Sequence, residues 1–120
     1  MSPILAVAGL LGALAVAAGA FGAHGLAASV TPERLAVWET AAHYHLVHAV
    51  ALLAVAAFGD RLGRAVRIAA AAFVLGMVVF SGSLYALVLT DSAWLGMVTP
   101  FGGLALIAGW LVLAARGFSR

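Results

Sequence analysis

Four long apolar stretches, at about residues 4–26, 36–58, 66–90 and 98–115, leave this chain almost no way to fold in water. Each reaches or approaches the roughly 20 apolar residues that an α-helix needs to cross a bilayer. Only 8% of the 120 residues are charged, against about a quarter in soluble domains. Six arginines and four acidic residues cannot solvate the surface of a globule this size. The chain is therefore expected to be all-α and polytopic, a single four-transmembrane-helix bundle over residues 1–120, with the lipid bilayer as its first partner.

The breaks between the stretches read "ASVTPER", "GDRLGR" and "TDSAWLG", where turn formers and charges gather. "VTPER" also reads as a helix start. Thr31 suits the N-cap, Pro32 the first helical position, and Glu33 the positive end of the helix dipole. The first apolar stretch has no Lys or Arg before it and is longer than the apolar region of about 7–15 residues in a secretory signal. It is expected as a retained span, with a cleaved leader as the lesser alternative.

Arginines set the expected orientation. Arg61, Arg64 and Arg67 lie between the second and third spans, and Arg116 and Arg120 follow the fourth. Only Arg34 lies on the other side. The positive-inside rule then predicts a multi-pass protein of the inner (plasma) membrane with both termini cytoplasmic. The net charge of +2 is a topology signal of this kind rather than a nucleic-acid footprint, so no nucleic acid is expected as a partner. Cysteine is absent, which excludes disulfides, thiolate metal sites and a cysteine nucleophile.

Polar residues are distributed unevenly with depth. Counting from the arginine-rich ends, His48 lies ~15 Å up, His45 and Ser81 ~20 Å, His43 ~22 Å, Ser83 ~24 Å, Tyr85 ~27 Å, Glu39 ~28 Å and His24 ~30 Å. The outer half of the membrane therefore holds nearly all of them. Helical angles divide them further: Glu39 and His43 share one face of the second span, while Tyr44, His45 and His48 occupy a sector roughly opposite. Two groupings remain open. One is His24 with Glu39 and His43 near the outer surface. The other is Tyr44, His45 and His48 with Ser81 or Ser83 deeper down.

Each grouping has a plainer account. An intramembrane histidine can serve as an interhelical hydrogen-bonding group, although ionisable residues at such depth lean towards function. Glu39 and His43 suit a solvated i,i+4 pair. A metal held by His24, Glu39 and His43 is a weak alternative, since HExxH is absent and nothing fixes the ligand geometry. Ser81 and Ser83 suit back-bonding to their own helix, and "FSGSL" is not the G-x-S-x-G of a serine hydrolase. No catalytic constellation emerges, so neither enzymatic activity nor a cofactor is expected. Trp38, Tyr85 and Trp94 fit an outer aromatic belt, and Trp110 a packing residue or a deep interfacial anchor.

Glycines supply small helix faces at Gly9, Gly12, Gly19, Gly22, Gly76, Gly82, Gly102, Gly103 and Gly109. Some of them recur within a set of motifs that occur in order along nearly the whole chain. These are "GAFGAHGL" at 19–26, Tyr44 with His48, "FSGSLY" at 80–85, "TPFGG" at 99–103 and "GW" at 109–110. Together they resemble the small four-helix membrane proteins of domain-of-unknown-function family 423, which include YgdD-like proteins and the transmembrane protein 256 family. The resemblance implies an inner-membrane protein without an established activity. Its motif residues here would be Gly19, Gly22, His24, Tyr44, His48, Ser81, Gly82, Ser83, Tyr85, Thr99, Pro100, Gly102 and Gly103. His43 and His45 fall outside that pattern.

Two functional readings follow. The first is a structural, interaction or accessory subunit that binds a membrane-protein partner or a second copy of itself, with Gly19, Gly22, Gly82, Gly102 and Gly103 packing helices. The alternative is a binding or proton-relay site for a small apolar or lipid-like molecule, formed by His24, Tyr44, His48, Ser81, Ser83 and Tyr85.

Overall fold

A computed structural model describes residues 2–119. Four helices follow one another: α1 (Pro3–His24), α2 (Pro32–Phe58), α3 (Ala65–Thr90) and α4 (Thr99–Phe118). Short 3-10 turns fill the connections, and no strand occurs among the described residues. All four helices are long and apolar enough to cross a membrane, and the molecule is 51 Å in its longest dimension, beyond the ~30 Å of a bilayer's hydrocarbon core. Arg120, one of the arginines on which the expected orientation rests, lies outside the described residues.

Local chemistry sets the helix ends. The Leu5 amide donates to Ser2 Oγ at 3.2 Å, with Pro3 in the first turn. The Arg34 amide donates likewise to Thr31 Oγ1 at 3.2 Å, with Pro32 and Glu33 in the first turn, the arrangement expected of "VTPER". Helix α2 therefore starts a turn earlier than its apolar stretch, because capping and not hydropathy decides where a helix begins. Between α2 and α3 the backbone turns through Gly59 and Gly63, at φ +52° and +57°, a region that side-chain-bearing residues rarely enter. Asp91 ends α3 in the left-handed conformation, and its carboxylate meets Arg34 at 3.1 Å across the connections.

Helices α2 and α3 form the centre, with α1 packed chiefly on α2 and α4 chiefly on α3. Phe73, Leu52, Val55 and Ser81 are the largest side chains fully shielded. Close approach of the outer helices depends on particular glycines. A Cβ on Gly102 would collide with the Phe80 backbone of α3, and one on Gly76 with the Leu106 side chain of α4. A Cβ on Gly109 would lie 2.6 Å from the Phe73 ring, and one on Gly22 2.6 Å from Trp38. Gly103 makes ordinary contact with Phe80, whereas Gly19 and Gly82 have open space where a Cβ would stand.

Candidate functional site

One face of α2 organises the buried polar groups. Trp38, Ala41, Ala42, His45, His48, Ala49, Leu52 and Val55 recur at three- and four-residue steps and are buried. The same periodicity turns Glu39, His43 and Tyr44 outwards, where all three are exposed. His45 and His48, one turn apart, are thus carried into the bundle on a stripe otherwise made of small and apolar residues.

His48 is held at both ring nitrogens. Its Nδ1 lies 2.7 Å from the Tyr44 carbonyl, and its Nε2 lies 3.0 Å from Trp110 Nε1 on α4. A carbonyl only accepts and an indole N–H only donates, so the ring is neutral with its proton on Nδ1. Phe73 and Trp110 pack on the ring with centroids at 5.6 and 5.9 Å. Tyr44, half outside the bundle, lies over Phe80 with its ring nearly parallel to His48.

His45 is held at one nitrogen only. Its Nδ1 is 2.9 Å from the Tyr85 hydroxyl of α3, while Nε2 is buried without a hydrogen-bond partner. If Tyr85 accepted from Nδ1, both its own proton and Nε2 would be orphaned. If Tyr85 donates, only the Nε2–H is left, and that arrangement is the cheaper. Beside the pair, Leu11 and Leu14 of α1 and Met77, Val78, Ser81 and Gly82 of α3 border a groove of about 380 Å³.

The remaining buried polar groups also bridge helices. Trp38 Nε1 of α2 donates to the Ala18 carbonyl of α1 at 2.7 Å, with its ring on Tyr85 at 4.5 Å between centroids. Ser81 Oγ of α3 donates to the Ala41 carbonyl of α2 at 2.8 Å. Ser83 of α3 and Thr99 of α4 share a hydroxyl–hydroxyl bond of 2.6 Å. Every pair of helices in direct packing is therefore joined by at least one side-chain hydrogen bond, and α2 is joined to all three others. In a medium without water, each such group must find a protein partner.

Of the residues singled out from sequence, Tyr44 and His48 are brought together, as are Ser83 and Thr99, while Ser81 and Tyr85 both reach α2. His24 is exposed on the last turn of α1, which runs unbroken to that residue, so no bend carries it inwards to His48. His24, Glu39 and His43 do not gather: among the described residues no three His, Asp or Glu side chains converge as metal ligands. Two hydrogen-bonding partners are not evident from the sequence. Trp38 and Trp110 fit belt and packing roles by sequence, whereas the indole N–H of each donates to a group on another helix. His45, grouped with His48 from the sequence although outside the family motif, shares the buried face of α2 with it at a three-residue spacing.

Comparison with known proteins agrees with this architecture. The family model described as "Protein of unknown function (DUF423)" matches residues 18–103. The chain is 43% identical over 102 residues to the UPF0382 membrane protein YwdK of Bacillus subtilis, covering 83% of each chain. It is 42% identical over 113 residues to the UPF0382 membrane protein SH2409 of Staphylococcus haemolyticus, covering 91% of this chain and 93% of the relative. A UPF0382 membrane protein of Haemophilus influenzae is 37% identical over 114 residues, covering 95% and 92%. No solved structure matches. With its motifs, four apolar helices and full-length relatives in agreement, the chain belongs to the DUF423 family of small membrane proteins.

Proposed function

We propose that this protein is a non-enzymatic interaction subunit of the inner membrane, with both termini cytoplasmic, that binds a partner membrane protein or a second copy of itself through α1. The observation that carries this is the bareness of α1. Only 11% of its span is buried, against 44% in α2 and in α3. Its exposed residues Ala6, Gly9, Ala13, Ala17 and Ala20 follow one another at three- and four-residue steps, forming a ridge of small residues that no helix of this chain covers. In lipid, helices associate through small faces of this kind. The buried polar groups support the same reading, because most of them spend hydrogen bonds between helices. Ala17→Leu/Ala20→Leu, which thickens the ridge at two exposed positions, is expected to abolish co-purification of the partner or dimer in mild detergent. Undiminished recovery would refute the proposal.

A second reading is favoured by one observation: the unpartnered Nε2–H of His45 beside the groove between α1 and α3. A small apolar molecule with a carbonyl would find its walls in Leu14 and Val78 and a donor in His45. His45→Phe is then expected to remove binding of a short-chain quinone probe, read by quenching of Trp38. Equal quenching in the variant would sink it.

A further inference from the structure

At the arginine-bearing end, a groove of about 500 Å³ lies between α2 and α4. Its walls are apolar: Ala54, Val55 and Phe58 of α2 face Trp110 and Leu113 of α4. From Ala51 to Phe58 it runs ~10 Å along α2, a depth reached by one acyl chain. Two arginines, Arg61 and Arg116, stand at its mouth.

These arginines differ in how they are held. Arg116 is fixed by the connection between α2 and α3, its Nε donating to the Leu62 carbonyl at 3.2 Å and its Nη2 to the Arg61 carbonyl at 2.9 Å. A guanidinium has five N–H donors, so the remainder can serve an anion. The Arg61 side chain is exposed and makes no hydrogen bond among the described residues. Among the described residues the one ion pair is Arg34–Asp91, at the opposite end of the molecule. Neither Arg61 nor Arg116 is therefore paired with a carboxylate among the described residues. An apolar slot leading into the membrane, with unpaired positive charge at its mouth, is complementary to a molecule with an anionic head and a hydrocarbon tail. Basic pockets between helices at a membrane surface recognise phospholipid headgroups in this way.

We propose that the α2–α4 groove is a binding site for one anionic phospholipid. The phosphate lies between Arg61 and Arg116, and one acyl chain lies in the groove with Trp110 at its inner end. The pinned guanidinium of Arg116 fixes the depth of the phosphate, and Arg61 closes over it. The site does not depend on what α1 binds.

The test is lipid retention by the full-length protein in detergent, titrated with phosphatidylglycerol, with phosphatidylcholine of the same chains, and with inorganic phosphate, and read by native mass spectrometry. The expected result is one phosphatidylglycerol per chain, with phosphatidylcholine held far more weakly and no displacement by inorganic phosphate at matching concentration. R61Q breaks no hydrogen bond of the fold and is expected to weaken phosphatidylglycerol binding roughly fivefold, the effect of one arginine near a charged headgroup. R64Q removes the same charge outside the groove and is expected to leave binding unchanged. Ala54→Phe, which fills the slot without altering charge, is expected to weaken binding of the lipid. Equal retention of the two lipids, an R64Q loss as large as that of R61Q, full binding by Ala54→Phe, or displacement by phosphate alone would each overturn the proposal.

Discussion

The bond between Trp110 Nε1 and His48 Nε2 carries two consequences that can be measured separately. Because the Tyr44 carbonyl and the Trp110 indole admit only one proton arrangement, ¹⁵N NMR of labelled protein is expected to show His48 neutral with its proton on Nδ1. A signal from the Nε2–H form would contradict that geometry. Trp110→Phe keeps much of the ring contact with Phe73 and His48 but removes the donor. Unfolding in mixed micelles is expected to show a loss of about 0.6–2 kcal/mol, the range for interhelical hydrogen bonds in membranes. Much of this site was legible beforehand, since Tyr44, His48, Ser81, Ser83 and Tyr85 stand out by depth and by motif. His24 was equally prominent in sequence yet lies exposed at a helix end, because a motif records which residues recur and not which of them meet. The tryptophans escaped notice for a related reason: hydropathy treats an indole as apolar, and only the need of its N–H for an acceptor reveals the bond.

The helices themselves are plain from the apolar runs, and the start of α2 from the Thr31 cap that the sequence displays, whereas α3 and α4 begin without a side-chain cap. Which glycines bring helices together is not plain, because in a chain this rich in Gly and Ala small residues fall on every face. Only the packed backbone distinguishes Gly102, against which Phe80 lies, from Gly82, beside which there is space. Gly102→Ala is expected to push α3 and α4 apart and cost about 1–3 kcal/mol in the same unfolding measurement. Gly82→Ala is expected to be tolerated, since alanine is the better helix former and meets nothing. Equal losses for the two would show that α3 and α4 do not approach as described.

Orientation and partnership belong to the molecule as a whole. Arg61, Arg64, Arg67 and Arg116 gather at one end of the four helices, and the Arg34–Asp91 pair marks the other. Since the chain contains no cysteine, single cysteines at Ser29 and Ser119 need no background changes. A membrane-impermeant maleimide is expected to label the first in intact spheroplasts and the second only after lysis. The reverse pattern would invert the topology and place the lipid groove in the other leaflet. The uncovered ridge on α1 bears most directly on what the protein does, and site-specific photocrosslinking in living cells tests it. With benzoylphenylalanine placed at Ala13 or Ala17, a discrete protein adduct is predicted, and none from Leu111 on the exposed face of α4. Crosslinks to lipid alone from the α1 positions, or the same adduct from Leu111, would contradict a role exercised through α1.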